Sequence, residues 1–444
     1  MKQGGVLSTG MLTIFMNDKI QMLMGTGMGA SIGERKVPVI AYADDEVLIS
    51  TSPTELQNML DVAYKHSCMW RYKYNAAKSK VIVYGSGPRN KWRLGEDPVD
   101  ETEEYYHLGI VMSPRSAAKK RIENCMNRAR RALYARSIHG MNIRRTSPLT
   151  LYTTWKIYAE PILSYSLAVT SLGIYDMLYL EGMVLRLYRM MQGLPSRTQK
   201  AVVYAMLGAP SCRLFILKIT MQFIGFLLRA ASEHELTYYI ILHGVLNNDR
   251  GTSLVRQWNV MLEELQMPNL TDVLQNKDMG AITNNWSKLS QQALMNFAWN
   301  EAQEAGSKLI SVHWLPRLIT RESVCAAPEL FWPTSRYSNI RRQATLTKIN
   351  LLTGHSWVAT GLIRRHAQGS QECPLCQSAT ETLEHLLFEC TELLEERAIA
   401  QEKYNAHFTR NTTAVSFILQ ANTEQTLAIH YVYTARVRRA LAKT

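Results

Sequence analysis

The amino-acid sequence predicts an α+β protein with its strands near the N-terminus and mostly helices after them. Short apolar runs separated by turn residues lie within residues 1–112, which is typical of hairpins. From residue 115 onward, apolar residues recur at helical spacing. Three cysteines and a histidine cluster between residues 373 and 390, which adds a candidate metal site to this fold.

Composition and charge favour a globular protein with an anionic partner. The chain has 444 residues, of which 46% are hydrophobic and 20% charged, so it has room for two to four domains. Its net charge of +13 suits a polyanion such as nucleic acid. The apolar stretches 162–185 and 214–228 contain charged residues, so we expect core helices and no membrane partner. Seven cysteines do not form a disulfide framework in a chain of this size, which indicates a reducing, intracellular compartment.

Two apolar runs, Val37–Ala41 and Val47–Ser50, flank the tetrapeptide Tyr42-Ala43-Asp44-Asp45. Two strand-like runs joined by a short turn predict a β-hairpin with carboxylates at its tip. Adjacent carboxylates repel each other unless a cation neutralises them, and Mg²⁺ prefers oxygen ligands that it shares with phosphates. An isolated aspartate pair is more often a solvated turn, so the metal-site interpretation depends on the neighbouring segments.

Four segments, in this order, resemble the palm motifs of reverse transcriptases. Lys2–Ser8 and the following Met11–Asp18 resemble motif B of non-LTR (LINE-type, jockey-like) retrotransposon enzymes. Tyr42–Asp45 resembles motif C, which carries catalytic aspartates. Tyr74–Tyr84 resembles motif D, a turn with a lysine and then a strand, and Tyr105–Val111 resembles motif E, the primer grip.

The resemblance implies roles for individual residues. Asp44 and Asp45 would be catalytic and hold Mg²⁺ or Mn²⁺, and Lys78 would assist the departing pyrophosphate. Contacts with the nucleotide and template are implied for Gln3, Gly4, Tyr42 and Lys80, and the primer grip for His107, Leu108 and Gly109. The alternative for Lys78 and Lys80 is a pair of solvated lysines at a strand edge.

In the family, a further catalytic aspartate lies on motif A, upstream of motif B. The chain starts within motif B, and Asp18 cannot replace that residue because it is expected on the motif B helix. We therefore expect the C-terminal portion of a longer polymerase, or a truncated copy. By itself it would hold metal poorly and polymerise poorly or not at all.

Segment 115–146 carries ten basic residues and one acidic residue. Apolar Ile122, Met126, Ala129 and Leu133 recur at helical spacing and predict an amphipathic helix with a basic face. This position corresponds to the start of a polymerase thumb, where such a helix would contact a nucleic-acid backbone. The contacts are expected from Lys119, Lys120, Arg121, Arg128 and Arg131. The alternative is a helix with a solvated cationic face.

Near the C-terminus, Cys373, Cys376, His385 and Cys390 have the spacing C-x₂-C-x₈-H-x₄-C, which suits a structural zinc site. A redox Cys-x-x-Cys pair or free thiols are the alternatives. His385 and Cys390 are five residues apart, so a helix carrying both must end or distort before Cys390. The region also resembles the C-terminal Cys-Cys-His-Cys segment of LINE-type proteins. Basic residues of the C-terminal tail would add positive charge, or they simply mark an exposed helix end: Arg436, Arg438, Arg439 and Lys443.

These observations predict four parts: a partial palm of antiparallel sheet plus helices (1–112), a helical thumb (113–210), a helical connection (211–345) and a zinc-binding module with a basic tail (346–444). The implied function is that of an RNA-directed DNA polymerase in the nucleus or cytoplasm. Its partners would be an RNA template, a DNA primer or target and deoxynucleoside triphosphates. One alternative is a non-catalytic RNA- or DNA-binding remnant. A group II intron-type maturase is less favoured, because the sequence after motif E resembles the retrotransposon pattern.

Overall fold

The computed structural model is mostly helical, with small sheets confined to the N-terminal region. This agrees with the α+β class predicted from the sequence. It describes residues 7–85, 90–115, 117–136, 140–143, 145–233, 235–246, 254–275, 279–308, 331–332, 338–353, 370–408 and 413–442.

The strands are short, two to five residues each, and those within the described residues form four separate sheets. They are β1 (Ala30–Ile32), β2 (Arg35–Val37), β3 (Val39–Tyr42), β4 (Asp45–Leu48), β5 (Lys80–Val81), β6 (Trp92–Leu94), β7 (Asp97–Glu101), β8 (Tyr105–His107) and β9 (Ile110–Met112). Three sheets are antiparallel pairs, β1–β2, β3–β4 and β8–β9. In the fourth, β7 pairs antiparallel with β6 and parallel with β5. Four of these five strand pairs are antiparallel, as expected for the palm region, and the two-residue β5–β7 pair is parallel.

Sixteen α-helices lie in the described part of the chain. The first eight are α1 (Ser8–Gly25), α2 (Pro53–Trp70), α3 (Ala118–Tyr134), α4 (Pro148–Tyr158), α5 (Glu160–Leu167), α6 (Ile174–Gln192), α7 (Lys200–Leu207) and α8 (Cys212–Glu233). The others are α9 (Glu235–Leu246), α10 (Leu254–Glu264), α11 (Leu270–Gln275), α12 (Met279–Lys308), α13 (Asn339–Leu352), α14 (Leu394–Tyr404), α15 (Ala414–Gln420) and α16 (Thr423–Ala442).

The chain divides into two compact units. The first comprises Met1–Arg121, Ile224–Val260 and Pro268–Thr283, and the second comprises Ile122–Phe223, Met261–Met267 and Asn284–Thr444. The four-part division proposed from the sequence stays a prediction.

In the first unit, α2 packs on the small three-stranded sheet. Its start is fixed by Ser52, whose hydroxyl accepts from the Glu55 N–H, and by Pro53 in the first turn. Leu56 and Leu60 of α2 pack against a buried cluster that contains Trp92 and Val99. The three-stranded sheet and α2 therefore share one small core.

The part of α3 that lies in the second unit, from Ile122 onward, confirms the predicted apolar stripe. Ile122, Met126, Ala129 and Leu133 are all fully buried. The helix spans Ala118–Tyr134 and is therefore shorter than the basic segment 115–146. Burial of this stripe leaves the basic residues on the other faces of the helix.

Among the described helices, Cys212–Ala231 of α8 has the length and apolar composition of a membrane span. Core helices of globular proteins share that composition, and 56% of this segment is buried within the protein.

Candidate metal centres and nucleic-acid surface

The predicted acidic hairpin is present as β3 and β4. Tyr42 lies opposite Asp45, so Ala43 and Asp44 form a two-residue turn at the tip. Ala43 has a φ of 55°, in the left-handed region that residues with a Cβ rarely occupy. Backbone strain of this kind persists only where the surrounding structure holds it, and it is enriched at functional sites.

Both tip carboxylates are open to solvent. Asp44 and Asp45 are exposed, and Tyr42 beside them retains 68% of its accessible surface. The next acidic residue, Glu46, has a side chain only 8% exposed. The tip therefore offers a cation two carboxylates, and the remaining coordination positions would go to water or phosphate oxygens.

Beneath the tip, a buried ion pair joins the hairpin to α1. Lys19 is fully buried, and its ammonium donates to Glu46 Oε1 and, at 3.1 Å, to the Tyr74 hydroxyl. The Tyr74 hydroxyl in turn donates to Glu46 Oε2 at 3.3 Å. Both oxygens of the carboxylate next to Asp45 are thus held in place.

The hydrogen bonds continue away from Tyr74 through four more side chains. The hydroxyls of Tyr72 and Tyr74 are 3.2 Å apart, and His66 Nδ1 lies 2.9 Å from the Tyr72 hydroxyl. His66 Nε2 is 2.9 Å from Asp18 Oδ1, and the Trp70 indole N–H donates to Asp18 Oδ2. We call this chain of side chains, from Lys19 and Glu46 to Trp70, the hairpin-support network.

Burial and the hydrogen bonds of this network shift the pKa values of three of its side chains. It lowers the pKa of Lys19, although the neighbouring Glu46 carboxylate opposes the shift. Burial likewise raises the pKa of the Tyr74 hydroxyl well above its ordinary value, with its hydrogen bond to Tyr72 adding to the rise. For Asp18, burial raises the pKa, but the hydrogen bond and charge of His66 and the Trp70 N–H outweigh it and lower the pKa.

The Lys19→Met variant is expected to be destabilised by about 3–5 kcal/mol, because it leaves the Glu46 carboxylate buried without a partner. Urea unfolding followed by circular dichroism measures this loss. The double change Lys19→Met/Glu46→Leu should recover much of the stability, since neither charge then remains buried.

The Lys120–Glu104 pair provides a matched control in the same unit, because its side chains are 50% and 40% exposed. Lys120→Met should cost at most about 1 kcal/mol. Equal losses for Lys19→Met and Lys120→Met would show that the buried pair does not anchor the hairpin.

The motif D segment has the predicted turn followed by a strand. Lys78 lies in that turn, where its backbone N–H donates to the Asn75 carbonyl at 3.0 Å, and its side chain is exposed. Lys80 lies on β5, and its ammonium donates to Asp100 Oδ2 at 2.7 Å. This ion pair favours the strand-edge alternative for Lys80, whereas the exposure of Lys78 is compatible with its assigned role.

The motif E segment is the hairpin β8–β9, with His107 opposite Ile110. Leu108 and Gly109 form its turn with φ values of 47° and 78°. Two consecutive positive φ angles are typical of a type I′ turn, which glycine favours and leucine does not. Gln3 and Gly4 lie outside the described residues, and Asp18 lies on α1 as expected.

The predicted backbone-binding residues of α3 differ in their surroundings. Lys119, Arg128 and Arg131 are exposed. Lys120 forms an exposed ion pair with Glu104, and the Arg121 Nε–H donates to the Val111 carbonyl at 2.7 Å. Arg121 therefore fastens α3 to the β8–β9 hairpin, a structural contact that the sequence did not indicate.

The four predicted zinc ligands come together. Their ligand atoms all lie within 4.8 Å of one another, with Cys373 Sγ 3.8 Å from Cys390 Sγ and Cys376 Sγ 3.4 Å from His385 Nε2. A tetrahedral zinc ion with Zn–S bonds of about 2.3 Å and Zn–N bonds of about 2.0–2.1 Å has edges of about 3.8 and 3.5 Å. The arrangement of the four side chains therefore fits zinc.

The expected helix distortion between His385 and Cys390 is also present. Residues His385–Glu389 form a π-helical turn, and the Cys390 N–H donates to the His385 carbonyl at 2.8 Å. A π turn joins residues five apart, which an α-helix would place on different faces. The π turn therefore brings His385 and Cys390, five residues apart, to the same side of the helix.

The thiols of the cluster differ in acidity. Burial raises the pKa of Cys376, but hydrogen bonds from Ser378, Cys373 and His385 outweigh it and lower the pKa to about 6. Burial raises the pKa of Cys390 to about 12. The Cys376 thiol is therefore the more acidic of these two, and a thiolate is the form of cysteine that binds a metal ion.

Arginines brace this module from the helices that follow it. Arg397 donates to the Cys390 carbonyl at 2.6 Å, and Arg436 of α16 makes a buried bidentate ion pair with Glu381 at 2.6 Å. Arg439 pairs with Glu392 and Glu396. The expectation that Arg436 and Arg439 add free positive charge is therefore corrected, while Arg438 is exposed and Lys443 lies outside the described residues.

Comparisons with known proteins agree with this arrangement. Residues 1–112 match the family model "Reverse transcriptase (RNA-dependent DNA polymerase)", and residues 329–395 match "zinc-binding in reverse transcriptase". A relative in Popillia japonica, "Retrovirus-related Pol polyprotein from type-1 retrotransposable element R2", is 31% identical over 134 residues. That match covers 28% of this chain and 19% of the relative.

The two domain matches cover both the acidic hairpin and the four clustered metal ligands. In these two regions the chain therefore resembles reverse transcriptases of non-LTR retrotransposons, and its match spans about a fifth of the length of the R2 relative.

Proposed function

We propose that this chain contributes a palm, a thumb and a zinc module to template-directed DNA synthesis on RNA. The reaction adds a deoxynucleotide to a primer 3′-OH and releases pyrophosphate. The observation that carries the proposal is the exposed pair Asp44 and Asp45 at a hairpin tip that buried Lys19 and Glu46 hold in place.

In this proposal, Asp44 and Asp45 bind Mg²⁺ or Mn²⁺, which supplies stabilisation of the attacking and leaving oxygens. Both carboxylates lie at the tip of one hairpin, and the neighbouring Glu46 is anchored by hydrogen bonds from Lys19 and Tyr74. The exposed Lys78 ammonium neutralises charge on the pyrophosphate. The hairpin at His107, Leu108 and Gly109 contacts the primer end.

Outside the palm, the exposed bases Lys119, Arg128 and Arg131 hold the nucleic-acid backbone. The zinc ion is structural, because all four tetrahedral positions are filled by Cys373, Cys376, His385 and Cys390. A protein with these partners would act in the nucleus or cytoplasm, where RNA and deoxynucleoside triphosphates are present.

Primer extension tests the proposal. The full chain is incubated with a labelled DNA primer annealed to an RNA template, the four deoxynucleoside triphosphates and Mg²⁺ or Mn²⁺. We expect slow, template-dependent extension that chelator abolishes, because the described hairpin supplies only two carboxylates to the ion. Extension that ignores the template sequence, or that persists in chelator, contradicts the proposal.

A second candidate function is that of a nucleic-acid-binding protein without catalysis. It is favoured by the presence of a zinc cluster and a basic helix in a chain whose acidic hairpin offers a cation only two carboxylates. It predicts tight, salt-dependent binding of the primer–template by both the wild-type chain and an Asp44→Ala variant, with no extension by either.

A further inference from the structure

Tyr74 lies where three parts of the first unit meet. Its ring packs against the buried cluster that contains Trp92 and Val99, which is the small core shared by α2 and the three-stranded sheet. Its hydroxyl donates to Glu46 Oε2 at 3.3 Å and accepts from the Lys19 ammonium at 3.1 Å. One side chain thus connects this core to the acidic hairpin and to α1.

The acidic hairpin is short, so its tip depends on contacts of this kind. Strands β3 and β4 have four residues each and form a separate two-stranded sheet in the described part of the chain. A two-stranded hairpin by itself is only marginally stable. Among the described residues, Glu46 is the hairpin residue nearest the tip whose side chain bonds to another part of the unit. Lys19 and Tyr74 therefore fix the position of Asp45, which precedes Glu46.

The turn that carries Lys78 is attached to the same core at both of its ends. Tyr74 precedes the turn, and Val81 of the same buried cluster follows it on β5. Between them, the Asn75 carbonyl closes the turn by accepting from the backbone N–H groups of Lys78 and Ser79, both at 3.0 Å. The exposed Lys78 side chain is therefore carried by a short turn with fixed ends.

We propose that Tyr74 is a positioning residue that holds the acidic hairpin and the Lys78 turn in a fixed relation to each other. The inference rests on the proposed function, because it takes Asp44 and Asp45 as metal ligands and Lys78 as the cation that assists the pyrophosphate. A metal ion and an ammonium group act on one triphosphate together only if the distance between them is maintained. Tyr74 maintains that distance because it bonds to the hairpin and leads directly into the turn.

Tyr74→Phe tests the proposal, because it removes the hydroxyl and keeps the ring in the core. The Mn²⁺ affinity of the full chain is measured by electron paramagnetic resonance. We expect the affinity of the variant to be about tenfold lower than that of the wild type, at the low end of the roughly 10–100-fold loss that follows removal of a hydrogen bond behind a metal site. Asp45→Asn identifies the Mn²⁺ signal of the hairpin, because that variant should lose it.

Tyr64→Phe is the matched control. It removes the same hydroxyl from an exposed position on α2 in the same unit. This variant should bind Mn²⁺ with wild-type affinity, and urea unfolding followed by circular dichroism checks that both variants are folded at the temperature of the measurement. Equal Mn²⁺ affinity in Tyr74→Phe and Tyr64→Phe overturns the proposal, as does a wild-type affinity that does not depend on Asp45.

A double-mutant cycle tests the connection to Lys78. We expect Lys78→Ala to slow primer extension, and to slow it several-fold less when Tyr74→Phe is already present, because the lysine then no longer lies at a fixed distance from the hairpin. Effects that simply multiply overturn the connection. A chain that binds Mn²⁺ through Asp45 without extending primers fails as a polymerase, and the Mn²⁺ affinities then still decide the role of Tyr74.

Discussion

Cys390→Ser is expected to empty the zinc site and unfold the module around it. Zinc binding supplies about 10–16 kcal/mol in small zinc modules, so the loss of one of four ligands removes most of the free energy that folds residues 373–393. Elemental analysis of the purified wild-type chain should find one zinc ion per chain, held by the cluster. The variant should contain almost none, and limited proteolysis should cut it near the cluster.

Cys68→Ser is the control, because Cys68 is exposed and is not part of the cluster. It should retain zinc in full. A wild-type chain that lacks zinc but contains a disulfide between Cys373 and Cys376 would instead support the redox alternative. Full zinc content in Cys390→Ser would show that Cys390 is not a ligand.

Asp45→Asn is expected to reduce primer extension about 10³-fold, to background. The metal contributes several kcal/mol to transition-state stabilisation, and each 1.36 kcal/mol corresponds to a factor of ten in rate. An amide lacks the negative charge that a hard divalent cation requires, while its size leaves the hairpin unchanged. Incorporation of labelled nucleotide measures the rate, and Mn²⁺ titration by electron paramagnetic resonance independently measures metal affinity.

Asp97→Asn is the matched control, since Asp97 is an exposed aspartate at the start of β7. It should leave extension and Mn²⁺ affinity unchanged. Asp44→Asn should resemble Asp45→Asn, and both should still bind the primer–template. Unchanged Mn²⁺ affinity in both tip variants would exclude the hairpin as the metal site.

Much of this arrangement could be predicted because its signals are local. The acidic hairpin follows from its flanking apolar runs, and the buried stripe of α3 follows from helical spacing. The zinc ligands are close in sequence, so their spacing alone constrains the geometry. The π turn could be predicted only as some distortion of the helix. The spacing of His385 and Cys390 shows that a regular α-helix cannot place both side chains on one face, but it does not show which backbone conformation does so.

The hairpin-support network could not be predicted, because its partners are distant in sequence. Lys19 and Glu46 are 27 residues apart, and Lys19 and Tyr74 are 55 apart. Glu46 follows two aspartates and looks like a third solvated acid, whereas folding buries it against α1. In a strand, successive side chains point to opposite faces, which is why Asp45 and Glu46 have opposite environments.

The same limit explains the error at the C-terminus. Arg436 and Arg439 belong to a run of bases, and a run of bases usually lies on a solvated surface. Their acidic partners lie 43 to 55 residues earlier, so the local sequence does not indicate that these arginines form ion pairs within the folded chain.

The buried ion pair between Arg436 and Glu381 connects α16 to the segment between the zinc ligands Cys376 and His385. Removal of the residues from Arg436 onward would delete only the last part of α16. It would nevertheless leave the Glu381 side chain, which is 1% exposed and four residues before the ligand His385, without its ion-pair partner. The integrity of the zinc module therefore depends on a side chain of α16, 46 residues after the last zinc ligand in the sequence.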